Sequence, residues 1–84
     1  MDEHTYGYQV CREIERRVSG SSAFFQYREA KSAIEFQVFF THRGEKLRLD
    51  YEIDKGQMVD VKAEVNRMVG YIAADLKGWK SSDD

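Results

Sequence analysis

Between Ala33 and Asp54 apolar and polar residues alternate with a period of two, and the alternation is symmetric about Arg43-Gly44. That period marks strands with one buried face. A two-residue turn at Arg43-Gly44 sets Phe40 against Leu47, Val38 against Leu49, Phe36 against Tyr51 and Ile34 against Ile53. All of these side chains then lie on one side of a hairpin, and one residue of slippage would turn every one of them to the other side. The register is therefore strongly specified. A shorter run over 23–28 alternates in the same way, with Ala23, Phe25 and Tyr27 on one face and Phe24, Gln26 and Arg28 on the other. A turn near Ala30-Lys31 places Tyr27 against Ile34 and Phe25 against Phe36. Without Gly, Asn or Asp, that turn is the less specified of the two. Together the three runs predict an antiparallel meander with a single apolar face.

On either side of the meander the spacing changes to three and four residues. Val10, Cys11, Ile14 and Val18 form one narrow apolar stripe, which predicts a helix over 5–18. Thr5 is its expected N-cap, Arg16 and Arg17 suit its negative end, and Ser19-Gly20 supplies the stop. After the hairpin, Asp54-Lys55-Gly56 admits two continuations: directly into a helix, or through a three-residue turn into a short fourth strand around 58–61. The stripe Met58, Val61, Val65, Met68, Val69, Ile72, Leu76 and Trp79 favours the helix, with Asp60 as cap or first-turn acid. Gly70 falls in its middle, at a cost of about 1 kcal/mol relative to Ala. Residues 80–84 read as a frayed polar tail. The order helix, three strands, helix predicts one α+β domain over 1–84, of the αβββα type, with an ordered core over about 5–79. Both helices are expected to cover the apolar face of the sheet.

Composition narrows the chemistry. The chain has 84 residues, a net charge of −2 and 33% charged residues, so it lacks the basic excess usual in a dedicated duplex-binding domain. Its one cysteine, Cys11, excludes an internal disulfide and a thiolate metal cluster. The start Met1-Asp2-Glu3-His4 has neither a basic region nor an apolar run, and no apolar stretch approaches the ~18 residues of a membrane span. A reduced, cytoplasmic protein is expected. Cys11 lies on an apolar helix stripe, where cysteine is usually structural. His4 and His42 are the only imidazoles available as a base, and neither belongs to a metal-ligand spacing. Asp50, Glu52 and Asp54 alternate along the solvent face of the third strand, which reads as a solvated strand face before an acid/base pair. No phosphate-binding loop is present. The expectation is a protein that is not an enzyme and needs no cofactor or metal.

Two surface features remain. The hairpin register places Phe39 opposite Arg48, and the first-strand register places Phe24 beside Gln37, diagonal to Phe39. An aromatic-cationic patch of Phe24, Phe39, Arg28 and Arg48 is expected on the outer sheet face, with Glu35, Asp50, Glu52 and Asp54 as an acidic border. Exposed aromatics grouped on an open sheet point to partner binding. Gly70 and Ala74, four apart on the second helix with Ala73 beside them, are a candidate homodimer contact; otherwise they pack on the first helix or the sheet.

The element order resembles the double-stranded RNA-binding domain. In that family a lysine cluster opening the second helix grips phosphates, whereas here Lys55–Lys62 holds two lysines and Asp60 and lacks that motif. On this resemblance Arg12, Arg16, Lys31, Lys55 and Lys62 would be the nucleic-acid contacts. The same order resembles small acidic phage-encoded inhibitors, some anti-CRISPR proteins among them, which occupy a partner surface, often with carboxylates in the place of phosphates. That resemblance implies a protein partner and makes Asp50, Glu52 and Asp54 the mimic row. The expectation is a small interaction or inhibitor module that binds through Phe24, Arg28, Phe39, Arg48, Asp50, Glu52 and Asp54. A nucleic-acid binder and a structural homodimer are the alternatives.

Overall fold

The computed structural model describes residues 2–76, 78 and 79; the polar tail at 80–84 lies outside the described residues. Helix α1 spans Glu3–Arg17, strands β1, β2 and β3 span Ser22–Arg28, Ala33–His42 and Glu45–Asp54, and helix α2 spans Val61–Asp75. The strands form one antiparallel sheet in the order β1-β2-β3. This is the αβββα, α+β arrangement that the periodicities predict.

Register follows the apolar pattern residue by residue. Phe40 faces Leu47, Val38 faces Leu49, Phe36 faces Tyr51 and Ile34 faces Ile53. On the other side of β2, Tyr27 faces Ile34 and Phe25 faces Phe36. At the tip Arg43 and Gly44 both take positive φ, 53° and 80°, as in the type I′ turn whose twist matches that of paired strands. The β1–β2 connection is a 3-10 turn over Glu29–Lys31 followed by Ser32 at φ 50°. This connection is pinned from outside, since the Ser32 carbonyl accepts the Lys55 N–H at 2.7 Å.

The inner face of the sheet carries the core. Ile34, Phe36, Val38 and Phe40 of the central strand are buried against Tyr6, Val10, Cys11, Ile14 and Val18 of α1 and Val65, Met68, Val69 and Ile72 of α2. Each such side chain contributes roughly 1.5–3 kcal/mol by leaving water. The inner residues of β1, together with Leu47, Leu49 and Tyr51 of β3, are only half-buried, because those strands are the sheet's two edges.

Several boundaries differ from expectation. The N-cap of α1 is Asp2, not Thr5: an Asp2 carboxylate oxygen accepts the Thr5 N–H at 2.7 Å, so the helix begins at Glu3 and Thr5 is its third residue. The fourth strand around 58–61 does not form, and Met58 is not part of the helix. Asp54 and Gln57 form a reciprocal capping box around a 3-10 turn at Lys55–Gln57, and Met58 ends that turn. Val59 is left 85% exposed. Helix α2 starts only at Val61, capped by the Asp60 carboxylate, which accepts the Lys62 N–H at 3.0 Å. It ends at Asp75, so Leu76 and Trp79 pack on the core from beyond the helix.

Candidate interaction surface

The face of the sheet away from the helices carries every residue of the expected patch. Phe39 lies opposite Arg48 and Phe24 opposite Gln37, and the two rings meet edge to face, 6.0 Å between centroids and 68° between planes. Phe24 is 58% and Phe39 40% exposed, a large apolar area to leave in water, and among the described residues no helix packs on this face. The pair exists because strand alternation sends both side chains outward and the β1–β2 register makes them diagonal neighbours.

Charge surrounds the rings as opposite-sign pairs. The Arg28 guanidinium lies 2.9 Å from Glu35, Lys31 reaches Glu35 at 3.6 Å and Glu52 at 3.8 Å, and Arg48 lies 3.0 Å from Asp50. The bond from Arg28 holds the Glu35 carboxyl below its ordinary pKa. A shallow depression lined by Gln37, Arg48, Asp50 and Glu52 runs along this surface. The acids at 35, 50 and 52 thus each lie beside a base. Asp54 lies at the far end of β3, where it caps the turn at Lys55–Gln57.

Most bases implicated by the RNA-binding resemblance are also engaged. Arg12 lies 3.6 Å from Glu15, Arg16 bonds Glu13, and Lys55 reaches Glu3 at 2.6 Å. Gly70 and Ala74 are both exposed, and a Cβ at position 70 would meet nothing within 4 Å. Packing of this pair on α1 or the sheet is therefore ruled out.

The nucleophile and base candidates lie apart. Cys11 is buried on α1, and burial, with the Glu15 charge, pushes its thiol up to about 12. His42 sits at the hairpin tip, and His4 lies beside Phe25 with ring centroids 6.2 Å apart. Among the described residues no group of His, Cys, Asp and Glu is placed to hold a metal ion, and no helix is long and apolar enough to cross a membrane.

One polar constellation escaped the sequence reading. Glu64 on α2 is fully buried, and its carboxylate accepts the Tyr6 hydroxyl at 3.2 Å and the Tyr51 hydroxyl at 2.5 Å. Arg67 donates to both carboxylate oxygens, at 3.1 and 3.4 Å, and reaches solvent. A buried charge survives only when paired and bonded in this way. The arrangement is a structural clamp between α1, β3 and α2. Its signal was present, since Glu64 falls three residues after Val61 and four before Met68 on the apolar stripe.

Comparison with protein-family models, with curated proteins and with solved structures gave no match in any of the three. Both resemblances therefore rest on element order alone, and function has to be argued from the surface.

Proposed function

We propose that this protein is a small non-enzymatic binding module that acts by occupying the surface of a protein partner, as inhibitors and regulators encoded by phages and mobile elements do. The observation that carries this reading is the exposed Phe24–Phe39 pair on an open sheet face. Aromatic and arginine side chains are enriched at protein interfaces, and a few buried anchors supply most of the affinity. Phe24 and Phe39 are the anchors. Arg28, Arg48, Asp50 and Glu52 form a polar rim whose mixed signs set orientation and exclude wrong partners. The net charge of −2 and the two lysines and one aspartate of Lys55–Lys62, in place of a lysine cluster, favour a protein over a duplex.

Phe24→Gln and Phe39→Thr test the reading, since both replace an exposed ring by a side chain a strand surface accepts. Each variant should keep the thermal midpoint within a few degrees and lose most of the protein captured from nuclease-treated host lysate. Capture unchanged in both variants contradicts the proposal. A salt-sensitive gel shift of duplex RNA, lost on Lys55→Glu and Lys62→Glu, would instead establish the nucleic-acid alternative.

A further inference from the structure

The two edges of the sheet are treated differently. Along β1 the edge is blunted by α1, whose Glu15 carboxylate accepts the outward Ala23 N–H at 3.0 Å. On β3 the two-residue turn makes His42 and Glu45 a hydrogen-bonded pair, so odd-numbered residues direct their backbone to β2 and Lys46, Arg48, Asp50 and Glu52 direct theirs outward. Among the described residues, no side chain or loop bonds to those outward groups. An open edge of this length is a template for another strand.

The strand's own charges say which strand. Read from Lys46, its solvent face runs Lys46, Arg48, Asp50, Glu52, two bases followed by two acids. Reversing the direction of such a strand exchanges the signs. We propose that β3 of one protomer pairs antiparallel with β3 of a second copy about a two-fold axis through Leu49, giving a continuous six-stranded sheet. In this register Arg48 faces the partner's Asp50 and Lys46 faces the partner's Glu52, each twice by symmetry. These are the outward-bonding residues, so each pair can exchange two main-chain hydrogen bonds. Shifting the axis to residue 48 sets Arg48 against its own copy, and shifting it to 50 does the same for Asp50; only Leu49 leaves no like charges opposed. On the inner side Leu49 meets the partner's Leu49, and Leu47 meets the partner's Tyr51. These residues are half-buried in the single chain, beside a groove lined by Ile72 and Leu76 and beside the exposed Tyr71, whose ring lies 5.6 Å from that of Tyr51. Edge protection by charge depends on repulsion between copies, and this order of charges attracts.

Arg48, Asp50 and Glu52 belong to both surfaces, but self-association of the pure protein is read without any partner, so the inference and the partner-binding reading fail separately. Light scattering on a size-exclusion column, run up to several hundred micromolar, should give the mass of a dimer for the wild type. Arg48→Asp and Asp50→Arg should each weaken self-association at least about tenfold, because each opposes like charges twice. Mixed together, these two variants should form a heterodimer, every charged pair being opposite again. Leu49→Cys should cross-link to itself on mild oxidation, whereas Leu47→Cys, about 13 Å from its copy along the strand, should not. The buried Cys11 gives no background. A monomeric wild type, a mixture that fails to associate, equal cross-linking at 47 and 49, or a dimer broken by Gly70→Leu in place of the charge variants would each overturn the proposal.

Discussion

The ring of Phe25 fills the space that a side chain on residue 7 would need: a Cβ at Gly7 would lie 2.4 Å from Phe25 Cδ2 and 2.6 Å from Cε2. Helix α1 approaches β1 closely only because residue 7 has no side chain. Gly7→Ala should therefore destabilise by about 1–3 kcal/mol, the cost of overpacking, in spite of the ~1 kcal/mol that alanine gains in a helix interior. Gly70→Ala, with open space around it, should stabilise by about 0.5–1 kcal/mol. Urea melts of the two variants should move in opposite directions.

The clamp at Glu64 predicts a graded response. Tyr51→Phe removes a donor from a buried carboxylate and should cost about 1.5–3 kcal/mol, the range for a hydrogen bond to a charged group. Tyr6→Phe, at 3.2 Å on the other oxygen, should cost less. The double variant should fall short of the sum of the singles, since both act on one network. Denaturant midpoints of the three proteins measure the coupling.

The same hydroxyls set an alkaline limit. Burial, followed by the bond to Glu64, pushes Tyr51 up to about 12 from its ordinary 10.0, and burial with the Glu64 charge moves Tyr6 upward as well. A phenol whose folded pKa is raised stabilises the fold fully below pH 10, and that contribution is lost as pH rises from 10 towards the folded value. Thermal midpoints should fall steeply above pH 10, and the decline should be shallower in Tyr51→Phe.

At the acid end the sign is reversed. The Thr5 N–H lowers Asp2, the Lys55 ammonium lowers Glu3, and Arg28 lowers Glu35. Depressed carboxyls stabilise the fold above their unfolded values, near pH 4, and that contribution is lost as pH falls through the folded values. Midpoints followed from pH 6 to pH 2 should drop, with a smaller drop in Asp2→Asn, whose cap no longer titrates.

What could be read from the chain alone depended on how local the signal was. The pairs from Phe40–Leu47 to Ile34–Ile53 were legible because a two-residue turn and an alternating pattern leave one register. The outward placement of Phe24 and Phe39 followed from that register. The cap of α1 was misplaced because Asp2 and Thr5 are both good caps three residues apart, and only the bond between them shows which one caps. The start of α2 was hidden because Met58 has helical spacing, yet the capping box of Asp54 and Gln57 just before it turns the chain before the helix begins. Glu64 shows its burial by its place on the apolar stripe, but its partners Tyr6 and Tyr51, like the Phe25 ring that meets Gly7, come from other elements, and no local pattern records those contacts. The four-residue spacing of Gly70 and Ala74 admits close approach of another backbone, but their exposure depends on where α2 rests.

The central claim is that the open sheet face captures a protein. A photo-crosslinking side chain at Gln37, between the two phenylalanines on that face, tests it most directly when compared with the same side chain at Ala73 on the exposed side of α2. In nuclease-treated host lysate the account predicts a discrete protein adduct from position 37 and none from position 73. An adduct from position 73 alone, or nucleic-acid adducts in untreated lysate with no protein adduct from position 37, would contradict it.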